Sequence, residues 1–152
     1  QKLFGMRMEE SLKIQPHLAD TGNYLHLTKT KGKRERLVPI LTAEQRIWLD
    51  KAKQLVDSRN SSLIPSDTSY KTYLKRFYKA CERAGITHQH GQRHAYAQKR
   101  YEELAGWKPP VKGGPTKLDM TSEQKQRDRA ARLQASLEMG HSRVAITKIY
   151  IA

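Results

Sequence analysis

The chain has 152 residues, 29 Lys+Arg against 15 Asp+Glu, and a formal net charge of +14. That length suits one compact domain over residues 1–152 that buries roughly 70% of its extended-chain surface, so no disulfide or metal staple is required. The single Cys81 excludes an internal disulfide and a cysteine-based zinc site, and no apolar run reaches the roughly 18 residues of a membrane span.

Residues 4–13 predict a short helix with Phe4, Met6 and Leu12 facing inward, and Pro16 is expected to end any helix there. Ile14–Leu18 is compatible with a short strand. Asp20-Thr21-Gly22-Asn23 is a turn signal. Tyr24–Thr28 and Arg36–Ile40 are β-favouring runs either side of Lys31-Gly32-Lys33, which together predict an antiparallel hairpin. Thr42 and Gln45 form a capping box that opens a helix carrying Ile47, Leu49, Ala52, Leu55 and Val56 and ending near Ser58. A second helix is expected over residues 68–84, stopped by Gly85, and a third from His90 to Leu104. Residues 107–119 read as a loop anchored by Trp107. Ser122–Glu138 is helical again, Gly140 breaks it, and Ser142 can cap a last helix over Arg143–Tyr150. The fold class is therefore α+β, mostly α-helical with a small antiparallel sheet.

The positive charge is spread over the domain. Lys29, Lys31, Lys33, Arg34 and Arg36 crowd the hairpin, and Lys71, Lys75, Arg76, Lys79 and Arg83 recur at helical spacing. Arg127, Arg129 and Arg132 form a third group, whose ordinary reading is a solvated helix face. Such a distribution points to a nucleic-acid backbone first and an anionic membrane surface second. On charge alone, a ribosomal-type or nonspecific binder ranks above an enzyme.

Several ionisable residues have no evident structural duty. His90 and Arg93 are three apart at a helix start, where free N–H groups also favour an anion. Arg7 and Glu10 are three apart near the beginning of the chain. His141 follows Gly140, and Tyr150 lies further along. Arginine, lysine, histidine and tyrosine without a carboxylate cluster fit metal-free phosphodiester chemistry: cations neutralise phosphate oxygens, a lysine protonates a leaving oxygen and a tyrosine attacks phosphorus. His88, His90 and His94 could be imagined around zinc, but the glutamate of a His-Glu-x-x-His motif is absent.

Four segments in order resemble the boxes of the tyrosine recombinases, the phage-type integrases and Xer-like recombinases. Gly5-Met6-Arg7-Met8-Glu9-Glu10 is similar to Gly-Leu-Arg-x-x-Glu. Thr30–Pro39 is similar to the hairpin Gly-Lys-Gly-x-Lys-x-Arg-x-Val-Pro. His90-Gly91-Gln92-Arg93-His94 is similar to His-x-Leu-Arg-His, with Gln92 in place of Leu. Met139-Gly140-His141-Ser142 with Thr147–Tyr150 is similar to Leu-Gly-His-Ser and Thr-x-x-Tyr. The stretch between Arg93 and His141 is long for the family.

The resemblance implies a DNA breaking-rejoining fold and a site-specific recombinase that needs no cofactor, neither metal nor ATP. It makes Tyr150 the nucleophile of a 3′-phosphotyrosyl intermediate, with Arg7, Arg93 and His141 on the phosphate. Lys31 becomes the general acid and His90 the acceptor of the tyrosine proton. Lys29, Lys33, Arg34 and Arg36 are expected on DNA, and Glu10 and His94 behind the site. The implied partner is double-stranded DNA with specific recombination sites, bound by a homotetramer of the full-length protein. The piece alone is expected to be monomeric, to lack an N-terminal DNA-clamping domain and a C-terminal tail, and to come from a bacterial or phage-derived, nucleoid-associated cytoplasmic protein. A type IB topoisomerase-like enzyme, a catalytically dead DNA-binding domain and a metal-dependent nuclease are the other readings.

Overall fold

A computed structural model describes residues 1–28, 35–86, 90–141 and 144–152, and only the backbone of His90, Val144, Ile146 and Thr147. Helix α1 spans Met8–Lys13 and α2 Pro16–Ala19. Strands β1, Tyr24–Leu27, and β2, Arg36–Pro39, follow. The rest is helical: α3 Ala43–Gln54, α4 Tyr70–Arg83, α5 His90–Ala105, α6 Ser122–Glu138 and α7 Val144–Ile151. A single 3₁₀ turn, Pro110–Lys112, interrupts the loop between α5 and α6. No described helix is long and apolar enough to cross a membrane. The architecture is α+β and mostly helical, as the sequence patterns predict.

The strands pair antiparallel, with Leu25 opposite Val38 and Leu27 opposite Arg36. Opposed residues share a face of the sheet, so Leu25, Leu27, Val38 and Arg36 all turn inward and all are buried. The predicted turn at residues 31–33 lies outside the described residues. Thr42 and Gln45 form the expected capping box, with Thr42 Oγ1 accepting the Gln45 N–H at 3.2 Å. Thr121 and Gln124 repeat the device at the start of α6.

The core gathers on α5. Its Tyr96, Ala97, Tyr101 and Ala105 are buried in one cluster with Ala131 and Met139 of the α6 segment, Ile151 of α7, the inner sheet face and Leu49 of α3. Helix α5 thus lies between α6, α7 and the segment that precedes α1.

Three local expectations are corrected. Residues 14–18 form no strand: α1 stops at Lys13, before Pro16 as expected, but Pro16 then opens α2, because a missing N–H is harmless at the first helical position. The first helix begins at Met8, not residue 4, since Gly5 takes φ +58, outside helical space. Helix α3 ends at Gln54, and Ile47 and Leu55 face solvent, leaving Leu49 as its buried apolar contact.

Candidate active site

Arg7 is the N-cap of α1. The Glu10 carboxylate reaches back to accept the Arg7 backbone N–H at 2.7 Å and its Nη1 at 2.9 Å. Arg93 projects from the first turns of α5 into the interior, where it is 3% exposed. Its Nη1 donates to the Gly5 carbonyl at 2.6 Å. Gly5 is required here twice over. Its φ is +58, and a Cβ would lie 2.6 Å from the Tyr96 ring, so only glycine lets the first box rest on α5.

The C-terminus of α6 completes the arrangement. Three successive carbonyls there each accept from a different arginine: Glu138 O from Arg36 Nε at 2.8 Å, Met139 O from Arg93 Nη2 at 3.1 Å and Gly140 O from Arg7 Nη2 at 3.0 Å. A helix end presents unpaired carbonyls and a partial negative charge, so cations are stabilising there. The three guanidiniums come from a helix start, a strand and the middle of the chain, and the α6 terminus draws them together. The long stretch between Arg93 and His141 therefore supplies the scaffold on which His141 sits.

His141 lies next to this cluster, with Nε2 3.1 Å from Arg93 Nη2. Its ring centroid is 5.3 Å from that of Tyr150, and His94 lies against the same Tyr150 ring at 4.3 Å. The Tyr150 side chain also interacts electrostatically with Arg93, and the Tyr150 carbonyl accepts from Gln98 Nε2 at 3.1 Å. Arg7, Arg93, His141, Tyr150, Glu10 and His94 thus share one locality. His90 opens α5 one turn before Arg93, and its side chain is outside what is described. Lys29, Lys31, Lys33 and Arg34 lie outside the described residues.

Arg36 departs from the expectation of a DNA-facing base. It is 8% exposed, and its Nη2 and Nη1 bind the Glu10 carboxylate at 2.6 and 3.0 Å. Strand alternation is the reason: Arg36 shares the inward face with Val38, while Leu37 between them is exposed.

The electrostatics favour an anion. Burial pushes the Glu10 carboxyl up, but its bonds to Arg36 and then Arg7 prevail and hold it down at about 2. Burial, then the charges of Arg93, Arg7 and Arg36, lower His141 to about 4, against an opposing pull from Glu10. Arg93 is itself lowered by burial and by Arg7, with Tyr150 and Glu10 acting the other way. Three guanidiniums, Arg7, Arg36 and Arg93, meet one carboxylate, Glu10, and among the described residues no carboxylate pairs with Arg93. A like-charged buried group of this kind is stabilised by a bound anion such as a phosphodiester.

Two supports escaped the sequence reading. Glu138 is 1% exposed and accepts from Tyr96 Oη at 2.7 Å, from Arg100 Nε at 2.9 Å and from Gln134 Nε2 at 2.8 Å. Asp128 accepts from Tyr101 Oη at 2.6 Å and from Arg132 Nε at 2.8 Å, and Trp107 Nε1 donates to Tyr101 Oη, anchoring the loop. The signal was present: Asp128, Ala131, Ala135 and Glu138 fall on one helical stripe, so two acids occupy core positions. Tyr96 and Tyr101 are buried in these bonds. Burial and Glu138 raise the Tyr96 phenol far above its ordinary value, and burial and Asp128 push Tyr101 up to about 12.

A family model described as Integrase matches residues 1–99. No curated protein and no solved structure matches the chain.

Proposed function

The chain belongs to the integrase family, whose members act on DNA in integration and recombination, and from that membership we propose that it is a site-specific tyrosine recombinase with Tyr150 as nucleophile. The supporting observation is the convergence of Arg7, Arg93, His141 and Tyr150, from both ends and the middle of the chain, around a locality with excess positive charge. Residues 1–152 act as one catalytic domain in this reading, and the full-length protein works on nucleoid DNA as a homotetramer on specific sites.

In the proposed reaction, Tyr150 Oη forms a bond to phosphorus as the P–O5′ bond breaks. The products are a 3′-phosphotyrosyl link and a 5′-hydroxyl. The phenolic proton passes to His90, and Lys31 gives a proton to O5′. Arg7 and Arg93 neutralise the non-bridging oxygens and stabilise charge that builds up in the pentavalent state. His141 is neutral at pH 7 and offers an N–H rather than a further charge. Attack by a different 5′-hydroxyl reverses the step and joins new partners, so the bond energy is kept in the ester. Metal ions and ATP have no part in these steps.

The test is incubation with a nicked suicide duplex in EDTA, followed by a denaturing gel. The proposal expects a covalent protein–DNA adduct that persists in EDTA. Cleavage that vanishes with EDTA and leaves no adduct would replace it with a metal-dependent nuclease.

A further inference from the structure

We infer that Arg36 is a positioning residue of the proposed reaction: by holding the Glu10 carboxylate and the Glu138 carbonyl together, it keeps the charge of Arg7 available and fixes the turn that presents His141. The inference rests on the reading above and assigns Arg36 a different place from a DNA contact.

The first observation is charge. Glu10 is buried and is bound by two guanidiniums, through Arg36 Nη2 and Nη1 and through Arg7 Nη1. With both present, one carboxylate faces two cations and a net positive charge remains beside Arg93. With Arg36 removed, Glu10 would pair with Arg7 alone and offset its charge, leaving Arg93 as the one guanidinium of the three without a carboxylate. The second observation is geometry. Arg36 Nε donates to Glu138 O, next to the carbonyls held by Arg93 and Arg7. His141 follows directly after Gly140, whose φ is +67 and whose added Cβ would lie 2.9 Å from Arg36 Nη1. The guanidinium therefore packs against the turn as well as bonding to it. A planar fork with donors on three nitrogens can serve a carboxylate and a carbonyl at once, which a lysine ammonium on a flexible stem cannot reproduce.

Arg36→Lys and Arg36→Met in the full chain test this, with three readouts. The first is the His141 ring NMR signals and titration in free protein, where His141 is faced by Arg93 of α5, Arg7 and Glu10 of α1, Arg36 of β2 and Tyr150 of α7. The second is the salt dependence of duplex binding. The third is the rate of adduct formation on the nicked duplex. Arg36→Lys is expected to fold, to move the His141 signals and to slow adduct formation by about tenfold to a hundredfold, with the salt slope unchanged. Where Arg36→Met folds, its His141 titrates at higher pH; where it does not, Arg36→Lys decides. Unmoved His141 signals in Arg36→Lys overturn the inference, as does a wild-type adduct rate. A salt slope smaller by about one also overturns it, since that is the mark of a lost phosphate contact. A wild-type chain that forms no adduct contradicts the proposed reaction instead, and the His141 signals and salt slope still decide the place of Arg36.

Discussion

Arg93 Nη2 lies 3.1 Å from His141 Nε2. A guanidinium only donates, so Nε2 accepts and the imidazole carries its proton on Nδ1. A neutral histidine beside a buried arginine accounts for the direction of its ionisation: desolvation, Arg93, Arg7 and Arg36 all oppose a second proton there.

Stability is expected to fall on mild acidification for this reason. His141 ionises near 6.5 when unfolded and at about 4 when folded, so the unfolded chain binds more protons between those values. Stability is then complete above pH 6.5 and declines as pH drops to 4, by as much as about 3 kcal/mol. Urea unfolding of wild type and His141→Gln at pH 7, 5.5 and 4 checks it. The variant should show a flatter profile over that window, and an equally steep one would assign the acid sensitivity elsewhere.

Glu10→Gln should be among the most damaging changes outside the apolar core. It keeps the shape of the side chain but leaves two guanidiniums facing a neutral amide in the interior. Breaking a buried pair in this way costs roughly 3–5 kcal/mol. The same variant should lose the stability that wild type sheds between pH 4.5 and 2, where the Glu10 carboxylate is protonated. Denaturant midpoints at pH 7 and 3 give both numbers; a loss under about 1 kcal/mol at pH 7 would mean the pair is replaceable.

Gly140→Ala should lower both stability and adduct yield. A side chain at φ +67 costs about 1–2 kcal/mol, and the contact with Arg36 adds to it because the guanidinium is held by Glu10 and Glu138 and cannot yield freely. Thermal melts compared with Gly113→Ala are the control, since Gly113 has φ +80 with open space around it. Equal losses at the two positions would show that Arg36 makes no steric demand on the turn.

Much of this organisation is legible in the residues. The hairpin follows from alternation, α3 from its capping box, and the break at Gly140 from the need for positive φ. The pairing of Arg7 with Glu10 follows from helical spacing. Arg36 was hidden by its company: it follows Lys29, Lys31, Lys33 and Arg34, and a run of bases reads as a surface. Its alternation with Leu37 and Val38 carried the opposite message, but Leu37 looks like the inward residue until the sheet's inner face is known. The α2 turn is hard to see in the residues, because a proline marks a helix stop as readily as a first helical residue. The three carbonyls at the end of α6 could not be foreseen, because backbone acceptors leave no trace in side-chain patterns and their donors come from residues 7, 36 and 93.

DNA binding by the chain should be dominated by phosphate contacts. With a net charge of +14 and six or more phosphates engaged, affinity is expected to fall about a thousandfold between roughly 50 and 200 mM salt. Fluorescence anisotropy with a labelled duplex gives the slope. Affinity that hardly changes with salt would contradict a backbone-tracking surface.

In the proposed reaction the Tyr150 hydroxyl becomes bonded to DNA. The most direct test is to trap the adduct on a nicked duplex, digest it with protease and nuclease, and locate the residual nucleotide by mass spectrometry, in wild type and Tyr150→Phe. Phenylalanine keeps the ring that lies against His94 and His141 and gives up only the hydroxyl, so DNA affinity should stay within about twofold and stability within about 1 kcal/mol. A 3′-phosphonucleotide is expected on the peptide containing Tyr150 in wild type, and no adduct in Tyr150→Phe. An adduct in Tyr150→Phe, or a nucleotide carried by any other residue of the wild-type chain, would contradict the proposed reaction.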